Sequence, residues 1–234
     1  MLKSFECDMD RVGRDLSRMA GLVEDAVRNA VTAVLDRDRE KAQSVIDGDE
    51  EIDALENEVD RQCTRVLAVH QPVARDLRRV LTFFHAAADL ERMADLAGGI
   101  AERAQRLADL PPTVPPDRLA SMADRASAMV RDGLNAFLHG DARLARAVRR
   151  RDDEVDADNT AIIGDLIAQM SANPAAVEPG LSLFTVVRNL ERIADHATNI
   201  AEDAVFLIEG EVIRHRPESA LPADVRPAPA RTSR

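Results

Sequence analysis

The chain has 234 residues, 45 % hydrophobic and 31 % charged, with six Phe and neither Trp nor Tyr, a composition of helices with enough apolar surface for a core. A formal charge of −11 excludes a general nucleic-acid binder, which needs a basic face for phosphates, and permits cation binding or docking to a basic partner. Cys7 and Cys63 form no C-x-x-C pair or disulfide framework, the N-terminus lacks a signal-peptide core, and no uncharged apolar run nears the ~20 residues that span a bilayer, so a cytoplasmic location is expected.

Met19, Leu22, Val23, Ala26, Ala30, Ala33 and Val34 recur at helical spacing and mark a first helix, ending near the 36–39 turn. Ile52, Leu55, Val59, Val66 and Val69 mark a second, broken at Gln71-Pro72 because proline disfavours helix in the residue before it. Val80, Phe83, Ala87, Leu90, Ala94, Ala97 and Ile100 mark a third. Met93 and Phe83, Phe84, Phe184 and Phe206 read as core, and Cys63 as a small buried apolar group.

PPTVPP, residues 111–116, is a stiff linker that no helix crosses. Beyond it the plan repeats: AVLDRDREKAQSVIDGDEEID at 33–53 returns about 103 positions later as AFLHGDARLARAVRRRDDEVD. The third helix returns 100 positions later, with Asn173-Pro174 in place of Gln71-Pro72. The expected architecture is all-α, six long helices in two similar three-helix bundles, 1–110 and 117–210, related by internal duplication. Residues 211–234 show little periodicity and read as a disordered tail.

Glu-Arg-x-x-Asp occurs in both copies, in LERMADLAGG from Leu90 and LERIADHATN from Leu190. Each sets two carboxylates four apart on one helix face, an arrangement that destabilises an isolated helix by roughly 0.2–0.5 kcal/mol. Counting back from the turns of antiparallel hairpins brings Asp53 opposite Glu91 and Asp49 opposite Asp95. In the second copy Asp156 falls opposite Glu191 and Asp152 opposite Asp195. Four acids then share one level of each hairpin, flanking the buried stripe, and Glu24 approaches the first level, though its counterpart is Ser127. All-oxygen donor sets suit magnesium, calcium, manganese or iron, and zinc also accepts carboxylate. The plain alternative is a solvated acidic face shielded by Arg92 and Arg192. His196 and Asn199 extend the second patch, where the first copy has Leu96 and Gly99; a lone helical histidine also serves packing or surface. Glu-x-x-His pairs of di-iron bundles, phosphate loops, dinucleotide glycine motifs and a nucleophile with its base are absent.

With these residues the sequence resembles the PhoU family of phosphate-uptake regulators. MAGLVEDAV at 19–27, VIDGDEEIDALENEVD at 45–60, QPVARDLR at 71–78 and IAEDAVFLIEGEVIRH at 200–215 agree in order and spacing. The resemblance implies a cytoplasmic, non-enzymatic, often dimeric negative regulator of phosphate uptake and of the phosphate-starvation response. Its partners would be the ATPase subunit of a phosphate ABC transporter and a sensor histidine kinase, with membrane association only through them and no nucleic acid. It also implies multinuclear metal held by Asp49, Asp53, Glu91 and Asp95 in one bundle and Asp152, Asp156, Glu191 and Asp195 in the other. DLAGG at 95–99 departs from the family's Asp-His-Ala-x-Asn, which DHATN at 195–199 keeps, so the first site is expected to be weaker or empty. A metal-dependent carboxylate-bridged enzyme and a helical adaptor with no phosphate role are the alternatives.

Overall fold

A computed structural model describes residues 2–210; the tail expected at 211–234 lies outside them. The helices are α1 (Leu2–Asp36), α2 (Arg39–His70), α3 (Ala74–Asp109), α4 (Leu119–His139), α5 (Ala142–Ala172) and α6 (Val177–Glu209), with a short 3-10 turn at Pro174–Ala176 before α6. The first helix starts well before Met19, because Phe5, Met9, Val12 and Leu16 continue its buried stripe at steps of three and four.

Local chemistry sets the helix ends. Asp38 caps α2 by accepting from the Lys41 amide at 2.9 Å, and its counterpart Asp141 caps α5 by accepting from the Arg143 and Leu144 amides at 2.9 Å. Gly140 closes α4 at φ 68°, where the first copy forces Arg37 to φ 57°; only glycine takes this left-handed conformation without steric cost. Residues 110–118, holding the proline run, are non-helical.

Helices α2, α3, α6 and α5 pack side by side in that order as a front layer, and α1 and α4 pack on each other and on their own bundles behind it. Alanines at the helix contacts keep the axes close, with Ala86, Ala87, Ala97, Ala101 and Ala104 of α3 buried. Phe83 of α3 meets Phe137 of α4 with ring centroids 4.8 Å apart, joining the bundles. Met93 and Cys63 are buried as expected, whereas Phe84 and Phe184 are 40 % and 37 % exposed. The two belong to a solvent-facing stripe, because each stands one residue past the buried row that holds Phe83 or Leu183.

The seam between bundles is α3 against α6, and its register is written in hydrogen bonds. Asp89 meets His196 at 2.8 Å, and the Asn189 side chain donates to the Leu96 carbonyl at 3.2 Å. As one residue number rises its partner's falls, so the helices are antiparallel. The contacts are reciprocal under the internal repeat, 89 with 196 and 189 with 96, which defines an approximate two-fold axis through the seam. Glu91 and Asp95 therefore come level with Asp195 and Glu191 across it.

Candidate metal centre

In the first bundle Asp49 and Asp53 lie on α2, and Glu91 and Asp95 on α3; Asp49 and Glu91 are half-buried and the other two exposed. Asp152, Asp156, Glu191 and Asp195 repeat this division on α5 and α6. Partial burial, followed by the charges of Asp53 and Asp95, raises the pKa of Asp49. Glu91 is raised by burial, then by Asp95, against the opposing pull of Arg92, with Glu56 and Asp53 adding to the rise. In the second bundle burial, then Asp195 and Asp156, push Asp152 up to about 6, while the Thr198 hydroxyl works the other way. Asp195 rises through desolvation and the charges of Glu191 and Asp156, opposed by His196 and Arg188. In all four of these groups burial is the larger cause, and a neighbouring carboxylate adds to it. Among the described residues, no three His, Cys, Asp or Glu groups close to ligating geometry around one point.

Counter-ions distinguish the copies. Arg92 reaches Asp95 at 3.4 Å and Glu91 at 3.6 Å from an exposed position. Arg188 donates to Glu191 Oε1 at 2.9 Å, and Glu191 Oε2 is left buried without a hydrogen-bond partner. Ala88 occupies the Arg188 position in the first copy, and Glu56 occupies that of Asn159. Burial and the charges of Asp60 and Asp53 raise Glu56. It is the acid that counting hairpin levels missed, although its place three residues after Asp53 puts it on the same helix face.

His196 and Asn199, expected to extend the second patch, turn toward the seam. Nδ1 of His196 and the Asn199 side-chain amide both address Asp89 Oδ1, at 2.8 and 3.4 Å. One residue past Asp195 is 100° around the helix, enough to bring His196 against α3. Asn189 fills the reciprocal position against Leu96, and a Cβ on Gly99 would lie 2.9 Å from its side-chain nitrogen. The DLAGG and DHATN sequences thus differ where the bundles meet. Glu24 sits on α1, where it pairs with Arg131 of α4 at 3.3 Å; burial raises its pKa and Arg131 offsets part of the rise. It links the two back-layer helices, with no close charge from the first quartet.

All-oxygen donors and the buried, unpartnered Glu191 Oε2 are the chemistry a hard cation takes, although the side chains as placed do not converge on one point.

The PhoU domain model matches residues 16–104 and 119–204, one copy on each repeat. The chain belongs to the PhoU family. A Pseudomonas putida protein described as a phosphate-specific transport system accessory protein PhoU homologue is 36 % identical over 225 residues, 96 % of this chain and 88 % of its own. An Aquifex aeolicus protein of the same description is 37 % identical over 215 residues, covering 92 % of this chain and 97 % of its own. The crystal structure of PhoU from Pseudomonas aeruginosa superposes with a TM-score of 0.85 at 35 % identity, over 88 % of this chain and all of that one. The phosphate transport system regulatory protein PhoU from Streptococcus pneumoniae gives 0.83 at 27 %, over 89 % and 98 %. Six helices in two PhoU repeats, as read from the sequence, are the family's fold.

Proposed function

We propose that this protein is a non-enzymatic regulator of phosphate transport and of the phosphate-starvation response. It works by contact with the ATPase subunit of a phosphate ABC transporter and with a sensor histidine kinase, holding the kinase in its phosphatase-favouring state when phosphate is ample. The observation that carries this reading is the match of both repeats, over nearly the whole chain, to phosphate-specific transport accessory proteins. Among the described residues no helix is long and apolar enough to cross a membrane; any membrane association is through the partners. The protein works in the cytoplasm, as a homodimer.

A metal belongs to the same reading. Asp152, Asp156, Glu191 and Asp195 would hold it in the second bundle and Asp49, Asp53, Glu91 and Asp95 in the first, where a divalent cation would offset part of the charge of four carboxylates, leaving the site net negative, and stiffen the front layer. The unpartnered Glu191 oxygen is the support within the second site.

Deletion is expected to switch on a phosphate-starvation reporter in high phosphate, and the full chain to restore repression. An unchanged reporter in the deletion strain sinks the regulatory reading. Elemental analysis of the purified protein, repeated with Asp152→Asn and Asp195→Asn, tests the metal separately: equal metal in wild type and double variant overturns the second-bundle site.

A further inference from the structure

Leu77, Leu81, Phe84, Ala88, Glu91 and Asp95 fall within about 40° either side of one line along α3, since 18 residues make five full helical turns. Each is exposed except half-buried Glu91. Leu77, Leu81 and Phe84 are 36 %, 43 % and 40 % exposed, a row of large apolar side chains without cover. The repeat writes the same line on α6: Val177, Leu181 and Phe184 are 40 %, 56 % and 37 % exposed, followed by Arg188, Glu191 and Asp195. Each line is about 27 Å long, apolar at the hairpin tip and acidic two turns further on.

The seam's two-fold axis stands perpendicular to the front layer, so both lines emerge on the same face and run in opposite directions. The acids of α2, α3, α6 and α5 meet as one belt across the middle, and the apolar ends lie at opposite corners. Charge decides what covers such a face. A second copy laid face to face would oppose belt to belt, and an anionic membrane surface would meet the same repulsion. An amphipathic helix that matches apolar to apolar and sets Lys or Arg over the acids has neither difficulty.

We propose that the front layer is a docking face for a partner's amphipathic helices, each presenting apolar residues three and four apart with Lys or Arg one to three turns beyond them. The approximate two-fold makes room for two such helices per chain, one on α3 and one on α6, as a two-fold symmetric partner would supply. This rests on the reading that the protein acts through protein contacts, and adds the face and the chemistry of what binds there.

A photo-crosslinking residue placed at Leu81 or at Leu181 in the full-length protein, in cells, tests it, with Arg14 on the back layer as the control position. Adducts mapped by mass spectrometry are expected on a segment of another protein with that apolar-to-basic pattern, in at least about tenfold excess over the control position, the ratio that ~1.4 kcal/mol of preference gives. Adducts to lipid, to a second copy or to residues 211–234, to a segment without basic residues, or no excess over the control, overturn the proposal. Leu77→Gln with Phe84→Gln should abolish the Leu81 adduct while helical circular dichroism and metal content stay at wild-type level; an undiminished adduct also overturns it. If deletion leaves the phosphate reporter silent but the patterned adduct forms, the phosphate reading fails and the docking face stands.

Discussion

Replacing Asp152 by Asn should stabilise the metal-free protein. Burial and the charges of Asp195 and Asp156 move this carboxyl from 3.8 to about 6, a difference that corresponds to roughly 3 kcal/mol at full weight. Asp152 keeps part of its contact with water, and solvent screening reduces the net effect to about 1 kcal/mol. Below pH 3.8 the group is protonated in folded and unfolded chains alike and the penalty is absent. It grows between 3.8 and about 6 and is complete above, so wild-type stability falls as pH rises through that window. Asn carries no such charge. In EDTA at pH 7.5 the variant should melt about 2–4 °C higher, the shift expected from ~1 kcal/mol in a chain of this size, and at pH 4 the two proteins should melt together. Excess manganese should reverse the order, because binding stabilises only the protein that keeps its ligands. A variant that melts lower in EDTA at pH 7.5, or an advantage that persists unchanged at pH 4, refutes the reasoning.

Asp89→Ala removes the acceptor shared by His196 and Asn199 and should cost about 1–3 kcal/mol in urea unfolding; a change below the error of the midpoint sinks the assignment of that cluster to the seam. Gly133→Ala builds a Cβ 3.0 Å from the Ala197 carbonyl oxygen, a backbone atom that cannot swing aside, and should lose about 1–3 kcal/mol by overpacking, checked by thermal melting against Gly164→Ala, whose Cβ meets nothing within 4 Å. Arg188→Ala frees Glu191 Oε1, so that it joins the already unpartnered Oε2, and should tighten manganese binding in calorimetric titration, whereas weakened binding would make Arg188 a support of the site and not a competitor.

The six helices were legible because apolar spacing, proline breaks and Asp caps are local signals, and the duplication let each copy check the other. Hairpin counting brought the acids of α2 and α3, and of α5 and α6, to common levels because an antiparallel pair with a short turn has one possible register. Contacts between bundles left no such trace. Asp89 and His196 stand 107 residues apart, and nothing in the spacing of DHATN separates a ligand from a seam residue. Phe84 and Phe184 misled for a different reason: an exposed aromatic beside a buried one has the same letter. Glu56 and Arg188 were both within one turn of an acid already singled out, and matching levels across the hairpin alone passed over them.

The seam also fixes which half recognises which. Cut at the proline run and expressed as separate chains, two first bundles pairing through α3 would press Asp89 against Leu96 and Gly99, neither of which has a side chain able to donate a hydrogen bond. Two second bundles would bring Asn189 against His196 and Asn199, a crowded meeting where the native seam has glycine. Only the mixed pair joins Asp89 to its donors and gives Asn189 its carbonyl. Divergence of the two copies has therefore turned a symmetric contact into an address, so that the halves should seek each other in preference to themselves.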